Sequence, residues 1–363
     1  MELVKGQFSK EQAWQWYNSQ PWIRGFGSYP SNCVNATAIW QNYGHKEVFE
    51  QIDYEFELAR KTGFNAVRTI LKFEVWLYEH DTFMQNLEEY FCIADKYGLK
   101  IMLVLGNDCT VAKSRWKPVV LGEQKIDWGY HSGLKGGQHA GDYNEAGYQL
   151  IDEPEYEQKF YQMVAELAEK YGNDKRLQIW DVWNEIGNSN RKNLSLEVMK
   201  NTFKILREKH VSQPLTADAW NFNRELSDYE RTALELSDVI TFHYYGDLIR
   251  MVEILDKLKR DYGRPVICNE WLNRIEKNDV EVMFPLFFYD RIGCYNWGLV
   301  QGYSQTFEPH GGHFKWQESE PTLDLSRWMH DLYRYNGYAY IPKEIEIIKR
   351  ICKVANERDK NLL

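Results

Sequence analysis

One cadence, repeated along the chain, restricts the fold more than any other feature. An amphipathic helical stretch ends in glycine, a short β-rich run follows, and a polar or aromatic cluster comes next. Lys61-Thr62-Gly63 leads into Ala66–Ile70, Lys96-Tyr97-Gly98 into Ile101–Leu105, and Lys170-Tyr171-Gly172 into Leu177–Val182. Tyr262-Gly263 precedes Val266–Cys268, and Arg291-Ile292-Gly293 precedes Cys294–Trp297. Glycine tolerates the left-handed conformation just past a helix, so each of these glycines marks an expected helix-to-strand joint. Phe160, Met163, Val164, Leu167, Ala168 and Tyr171 recur with helical period on one face, as do Leu248, Met251, Leu255, Leu258 and Tyr262. Further strands near Ile23–Phe26, Leu215–Ala217 and Val239–His243 bring the total to eight, alternating with helices. That alternation predicts a parallel sheet. No G-x-G-x-x-G follows the first strand, and eight units fit a closed ring best. The expected fold is α/β, a (β/α)8 TIM barrel. No linker-like stretch interrupts it, so residues 1–363 are expected to form a single domain.

Two connections are too long for ordinary turns, residues 107–152 after the third strand and 299–321 after the eighth. Loops of that length are usually functional or partly structured, and both leave the end of the barrel where active sites are built. The residues just after the strands should converge there: Arg68, Asn107-Asp108, Asn184-Glu185, Asp218 to Trp220, His243 to Tyr245, Glu270-Trp271 and Trp297. Two glutamates stand out, each preceded by Asn, at the ends of the fourth and seventh strands. Paired carboxylates across a cavity are the equipment of glycoside hydrolysis. One, kept protonated, gives its proton to the leaving oxygen; the other, ionised, attacks the anomeric carbon or activates water. The ionised partner needs positive charge and hydrogen bonds, which Arg68 and Tyr245 can supply. The acid is expected to have its pKa raised by burial near aromatic rings. Asp181, on the strand of Glu185, is expected in a polar layer inside the barrel.

Composition narrows the function further. The chain has 14 Trp, 24 Tyr and 17 Phe, side chains with a flat apolar face and, for Trp and Tyr, a polar tip, which suit surfaces that meet sugars. The 53 acidic residues outnumber 44 basic ones for a net charge of −9, so the basic footprint of a nucleic-acid binder is missing. The apolar runs are strand-sized, which argues against a membrane span. Six scattered cysteines form no C-x-x-C pair, suggesting neither a zinc site nor a disulfide framework. Met1 to Lys10 is polar and lacks the apolar core of a secretory signal. A chain starting in this way is expected in the cytoplasm, or outside the cell if a signal peptide has been removed.

The sequence resembles the clan A retaining glycoside hydrolases, particularly family-5-like barrels of the cellulase and xylanase group, over nearly its whole length. The landmarks are Gly27-Ser28-Tyr29-Pro30-Ser31, Gly63-Phe64-Asn65-Ala66-Val67-Arg68 and Asp181-Val182-Trp183-Asn184-Glu185. Further on come Phe242-His243-Tyr244-Tyr245-Gly246-Asp247, Ile267-Cys268-Asn269-Glu270 and Asn296-Trp297-Gly298-Leu299-Val300. The resemblance implies a retaining β-glycosidase with Glu185 as general acid/base and Glu270 as nucleophile. It further implies Asn184 on the sugar 2-hydroxyl, Trp297 as the floor under the sugar in the cleavage subsite, and His243 on the same wall. Arg68, Asn107, Trp220 and Tyr245 complete the expected substrate-binding set, and Trp220 and Trp271 are candidates for sugar contact or for plain packing. The sequence departs from the group at Leu105-Gly106-Asn107-Asp108-Cys109, where relatives commonly carry an acidic pair, which bears on the subsite beyond the cleavage point.

Two other readings stay open at this stage. A non-catalytic carbohydrate-binding barrel would use the aromatic residues but has no need of two strand-end glutamates. A metal-dependent hydrolase would draw on His131, His139, His243, His310 and His313, but the His310-Gly311-Gly312-His313 stretch has no carboxylate or Cys at ligand spacing. The expectation is therefore no metal and no cofactor, with a β-linked oligosaccharide as substrate; an endo-acting enzyme on polymer is the alternative if the protein is secreted. The sugar, its linkage and the oligomeric state are not legible in the sequence.

Overall fold

Eight strands, all parallel, run in the order β5-β4-β3-β2-β1-β8-β7-β6 in a computed structural model that describes residues 3–126 and 145–360. They are β1 (Arg24–Gly27), β2 (Ala66–Ile70), β3 (Lys100–Asn107), β4 (Leu177–Asn184), β5 (Leu215–Thr216), β6 (Ile240–His243), β7 (Val266–Trp271) and β8 (Gly293–Trp297). Between β5 and β6 the ring is joined by a parallel bridge, Ala219 to Phe242, with the His243 N–H donating to the Ala219 carbonyl at 2.9 Å. Thr216 and Thr241 link the same two strands through their hydroxyls, 2.6 Å apart. The result is a nearly closed (β/α)8 barrel.

Alternation along the strands sorts the side chains into an inner and an outer set. Ile23, Ala66, Met102, Ile179, Val239, Ile267 and Tyr295 form one inner cluster with Tyr17. Tyr17 belongs to the helix Lys10–Asn18 and donates its hydroxyl to the Arg291 carbonyl at 2.7 Å, closing the end from which the strands start. One step further along β2, β4 and β7 the buried residues are polar, Arg68, Asp181 and Asn269, and Asp218 after β5 and His243 at the end of β6 join them. This polar layer lies directly beneath the active-site end. The outward set packs on the helices, and all six residues of the face Phe160 to Tyr171 are buried there.

Two local expectations need correction. Gly63, Gly98 and Gly263 are left-handed, but Gly172 is right-handed (φ −59°), and at the last joint Arg291 takes the left-handed turn (φ 51°) in place of Gly293. Gly293 is small for another reason, since a Cβ there would stand 2.9 Å from Ile267 Cγ1. In the helix Leu248–Tyr262, Met251, Leu255 and Leu258 are buried, whereas Leu248, the first residue after the Asp247 cap, is exposed and Tyr262 is half-buried. The long segment after β8 is partly structured: it carries a helix, Gly311–Ser319, and returns through a bridge between Val300 and Tyr333.

Candidate active site

Arg68, in the middle of β2, organises the site from below. Its Nε donates to Asp181 Oδ2 at 2.8 Å, Nη1 to Glu270 Oε1 at 2.6 Å, and Nη2 to Asn184 Oδ1 at 2.6 Å and Asp218 Oδ2 at 2.9 Å. The guanidinium is fully buried, so this fork fixes two acids, one amide and Glu270 in a single geometry. Burial alone would lower its pKa, but Asp181, Asp218 and Glu270 outweigh burial and raise it. Asn269 joins the layer, donating to Asp218 Oδ1 at 2.7 Å and Asp181 Oδ2 at 3.2 Å. Burial, and then the charge of Asp218, push Asp181 up to about 8, and its Oδ1 has no partner among the described residues. Asp218 goes the opposite way, because His243 and Arg68 overcome its burial.

Glu270 stands near the end of β7, where the pairing with β6 and β8 shifts register. A bulge re-aims side chains, and here Asn269 and Glu270 both face the inside. Trp271, the next residue, turns outward onto Phe284 and Phe287, with ring centroids 6.2 and 5.3 Å away. Of the two readings left open for Trp271, packing is the one realised. Tyr245, just past β6, donates its hydroxyl to Glu270 Oε2 at 2.6 Å. Burial and then the charge of Glu270 raise the phenol pKa well above its usual value, so Tyr245 stays a donor.

Glu185 follows β4 with a left-handed backbone (φ 49°), a conformation that costs a non-glycine residue about 1–2 kcal/mol. The turn is held from outside by Asp108, which accepts from the Gly187 N–H at 2.6 Å, the Ser195 hydroxyl at 2.6 Å and Arg191 Nε at 3.0 Å. The Glu185 carboxylate meets three donors. His243 Nδ1 lies 2.7 Å from Oε1, the Cys109 thiol lies 2.9 Å from Oε2, and the Asn188 amide also donates to Oε2. His243 reaches further, with Nδ1 3.4 Å from Glu270 Oε2 and Nε2 3.2 Å from Asp218 Oδ2. One oxygen of Glu185, one of Glu270 and one nitrogen of His243 lie within 4.8 Å of one another.

The protonation order differs from the sequence expectation. Burial works to raise Glu185, but the hydrogen bond and charge of His243, helped by Cys109 and Asn188, hold it below the usual carboxylate range. For Glu270 burial prevails, with the charge of Glu185 adding to it, over His243, Arg68 and Tyr245. The physical reason is His243, which sits closer to Glu185 than to Glu270. Burial would lower its own pKa, yet Glu270, Asp218 and Glu185 push it up to about 10. An imidazole in that state carries protons on both nitrogens and has no lone pair to offer. The Glu185, His243 and Glu270 atoms are close enough together to meet one ion, and in this structure a proton shared through His243 links them.

The remaining candidates fall at graded distances from this centre. Asn107 accepts from Asn184 Nδ2 at 2.8 Å and from the Cys109 N–H at 2.8 Å, so it acts on its neighbours. Trp297 lies on Gly27, where a Cβ would meet its ring at 2.6 Å, and edge-on to Tyr29 at 5.9 Å. Trp220 is half-buried and donates its indole N–H to the Ile186 carbonyl at 3.0 Å, beside the Glu185 turn. His313 pairs with Glu276 at 2.9 Å and stacks on His310, which in turn lies 6.0 Å from His330 at the ring of Tyr245. His131 and His139 lie outside the described residues. Sequence reading passed over Asn188 and the contact of Cys109 with Glu185; the departure at Leu105 to Cys109 was the one available signal.

A family profile described as cellulase (glycosyl hydrolase family 5) matches residues 29–297, most of the chain and all of the strand-end residues just described. The chain belongs to glycosyl hydrolase family 5. No curated protein matches it by sequence. Among solved structures, the family 5 fold is shared with the exo-β-1,4-mannosidase Op5Man5 from Opitutaceae bacterium strain TAV5 (14% identity, TM-score 0.58, 99% of this chain and 63% of that one). It is shared also with the family 5 mannosidase of Rhizomucor miehei (11%, 0.56, 93% and 94%) and the endo-β-1,4-mannanase of Thermotoga petrophila (14%, 0.53, 94% and 78%). At these identities the likeness speaks to the fold. Membership of family 5, with Glu185 and Glu270 close together, makes this protein a retaining β-glycoside hydrolase. One carboxylate oxygen of each lies within 4.8 Å of the other, short of the roughly 6.5–9.5 Å between the carboxyl groups of an inverting enzyme, which holds a water between its acids.

Proposed function

We propose that the protein hydrolyses β-linked oligosaccharides by double displacement, with Glu270 as nucleophile and Glu185 as general acid/base. The observation that carries this assignment is the seat of Glu270: one oxygen on Arg68 Nη1 at 2.6 Å, the other on the Tyr245 hydroxyl at 2.6 Å. In the first step a Glu270 oxygen bonds to the anomeric carbon as the bond to the leaving oxygen breaks, and Glu185 delivers a proton to that oxygen. In the second, Glu185 takes a proton from water, and the water oxygen replaces Glu270 on the sugar. The first step needs Glu185 protonated and Glu270 ionised. The 2.7 Å bond between His243 Nδ1 and Glu185 Oε1 supplies a route: the proton passes to Glu185, His243 becomes neutral, and Arg68 and Tyr245 remain on Glu270. Asn184 binds the sugar 2-hydroxyl and Trp297 forms the floor beneath the ring.

The sugar placed first is suggested by the barrels that share the fold. We place oligosaccharides ahead of polymers, and β-mannosides first among them, because several barrels of the same fold bear mannosidase or mannanase names. The test is product analysis by mass on β-linked manno-, gluco-, xylo- and galacto-oligosaccharides, paired with trapping by a 2-deoxy-2-fluoro glycoside. Release of single residues from one series and a mass increase on the peptide holding Glu270 support the reading. A label on another carboxylate removes the nucleophile assignment, and cleavage of polymer with no action on short oligosaccharides removes the placing of oligosaccharides first.

A further inference from the structure

Cys109 stands in the departure from the family pattern after β3, and three hydrogen bonds leave its thiol a single orientation. Asn184 Oδ1 is committed to Arg68 Nη2, so Asn184 Nδ2 must face Asn107 Oδ1 and the Cys109 sulfur, 3.5 Å away. Asn188 Oδ1 accepts from the Ser189 N–H at 2.5 Å, so its Nδ2 faces Glu185 and the same sulfur, 3.3 Å away. Two amide N–H groups thus point at the sulfur as an acceptor. The remaining function of the group, its S–H, points at Glu185 Oε2, 2.9 Å away. We propose that Cys109 is a positioning residue, whose thiol holds the Glu185 carboxyl in the rotamer for proton transfer and ties it through Asn184 to the Arg68 fork beneath Glu270.

This role rests on Glu185 being the acid/base. A thiol can fill it only while protonated, and the surroundings ensure that. Enclosure by protein atoms, and then the carboxylates of Glu185, Glu270 and Asp108, raise the Cys109 pKa well above its ordinary value. The same charges make it a poor nucleophile, since the thiolate is the reactive form. Around Glu185 the other charged and titratable groups are His243 from β6, Glu270 from β7 and Tyr245 just past β6. Arg68 from β2 and Asp218 after β5 reach it only through Glu270, Asn184 and His243. Cys109 donates to Glu185 as a neutral thiol, so its removal changes no net charge. A donor to a carboxylate favours the ionised form. Taking it away should make Glu185 hold its proton to higher pH.

The experiment compares the parent, Cys109→Ala and Cys109→Ser by the pH dependence of kcat/KM on an aryl glycoside with a poor leaving group, where proton donation limits the rate. In Cys109→Ala the basic limb should move up by about 0.5–1 pH unit and kcat should fall about 3- to 10-fold, while an activated aryl glycoside is affected less. Cys109→Ser keeps a donor of similar size and should restore the parent's limb or lower it. The residue is exposed at the cleft while its sulfur is enclosed against Glu185, Asn184 and Asn188, so truncation opens no cavity in the apolar core; a purely structural role would lower stability or alter KM without moving the limb. Glu185→Ala in the same assays separates the two proposals. If it shows leaving-group dependence while Cys109→Ala leaves the limb in place, the Cys109 role is wrong and the acid/base assignment stands. If Glu185→Ala shows none, the assignment itself fails. Should Cys109→Ala fold poorly, a basic limb in Cys109→Ser displaced upward would overturn the proposal, and one at or below the parent's would support it.

Discussion

Glu270 and Glu185 face one another across a single cleft, but their surroundings are of different kinds. The partners of Glu270 come from regular strands or from the residue or two after them: Arg68 from the middle of β2 and Tyr245 just past β6. The partners of Glu185, His243 apart, come from chain that has already left the sheet: Cys109 after β3, and Asn188 three residues beyond Glu185 itself in a turn entered through a left-handed residue. One wall is built on hydrogen-bonded strands and a buried guanidinium fork, the other on turns secured by Asp108 and Arg191. The difference fits the two tasks. A nucleophile must present a fixed charge at a fixed point, whereas an acid/base must gain and lose a proton in each cycle.

The sharpest break in this comparison comes from deleting each carboxylate. Glu270→Ala removes the covalent step, and kcat should fall by about 10³-fold or more on every substrate, whatever its leaving group. Glu185→Ala should cost about 10²–10⁴-fold on glycosides with poor leaving groups and far less on activated aryl glycosides, which depart without a proton. Steady-state rates on a matched pair of substrates measure both. Equal losses on the two substrates in Glu185→Ala would mean that the walls do not divide the work as described.

A second contrast lies in stability. Arg68→Met leaves Asp218 and Glu270 without their buried cation and should lower the free energy of unfolding by about 3–5 kcal/mol, read from denaturant midpoints. His243 spans the two walls, and its contribution depends on pH. Its folded pKa is raised from 6.5 to about 10, so the stability it adds is fully present below pH 6.5 and is lost as pH rises through about 10. The stability difference between the parent and His243→Gln should shrink across that window. A difference that grew with pH would show that the imidazole is neutral in the folded cleft.

The strand-built wall is also the one the sequence makes readable. The joints after Gly63 and Gly98, the buried face Phe160 to Tyr171, and the placing of Glu270 near the end of its strand follow from period and punctuation, which are local properties of the chain; Arg68, expected just past its strand, lies in the middle of β2. The turn-built wall is not local. The contact of Cys109 with Glu185 depends on the left-handed backbone at Glu185 and on the Asp108 anchorage, neither of which has a pattern in sequence. The proton order of the two glutamates was misjudged for a related reason. Burial is visible in hydrophobic patterning, but whether the His243 ring leans on one carboxylate or the other is decided by a few tenths of an ångström. Glycine carries two meanings, a left-handed turn at Gly63 and empty space at Gly293, and the letter is the same for both.

The smallest effect concerns Trp271, the neighbour of the proposed nucleophile. A tryptophan beside a catalytic glutamate invites a sugar-platform role, but strand alternation turns it toward Phe284 and Phe287, and its indole N–H has no partner among the described residues. Trp271→Phe loses some apolar contact and also relieves a buried unsatisfied donor, so these terms oppose each other. The net cost should be about 1 kcal/mol, with kcat and KM within about twofold of the parent. Trp297→Phe, in the same assays, should raise KM by a larger factor, since that ring lies on Gly27 at the cleft and not among the helices. If Trp271→Phe instead raised KM as much as Trp297→Phe, the bulge in β7 would have to leave Trp271 facing the sugar. The separation of inner and outer residues on that strand would then be wrong at the position next to Glu270.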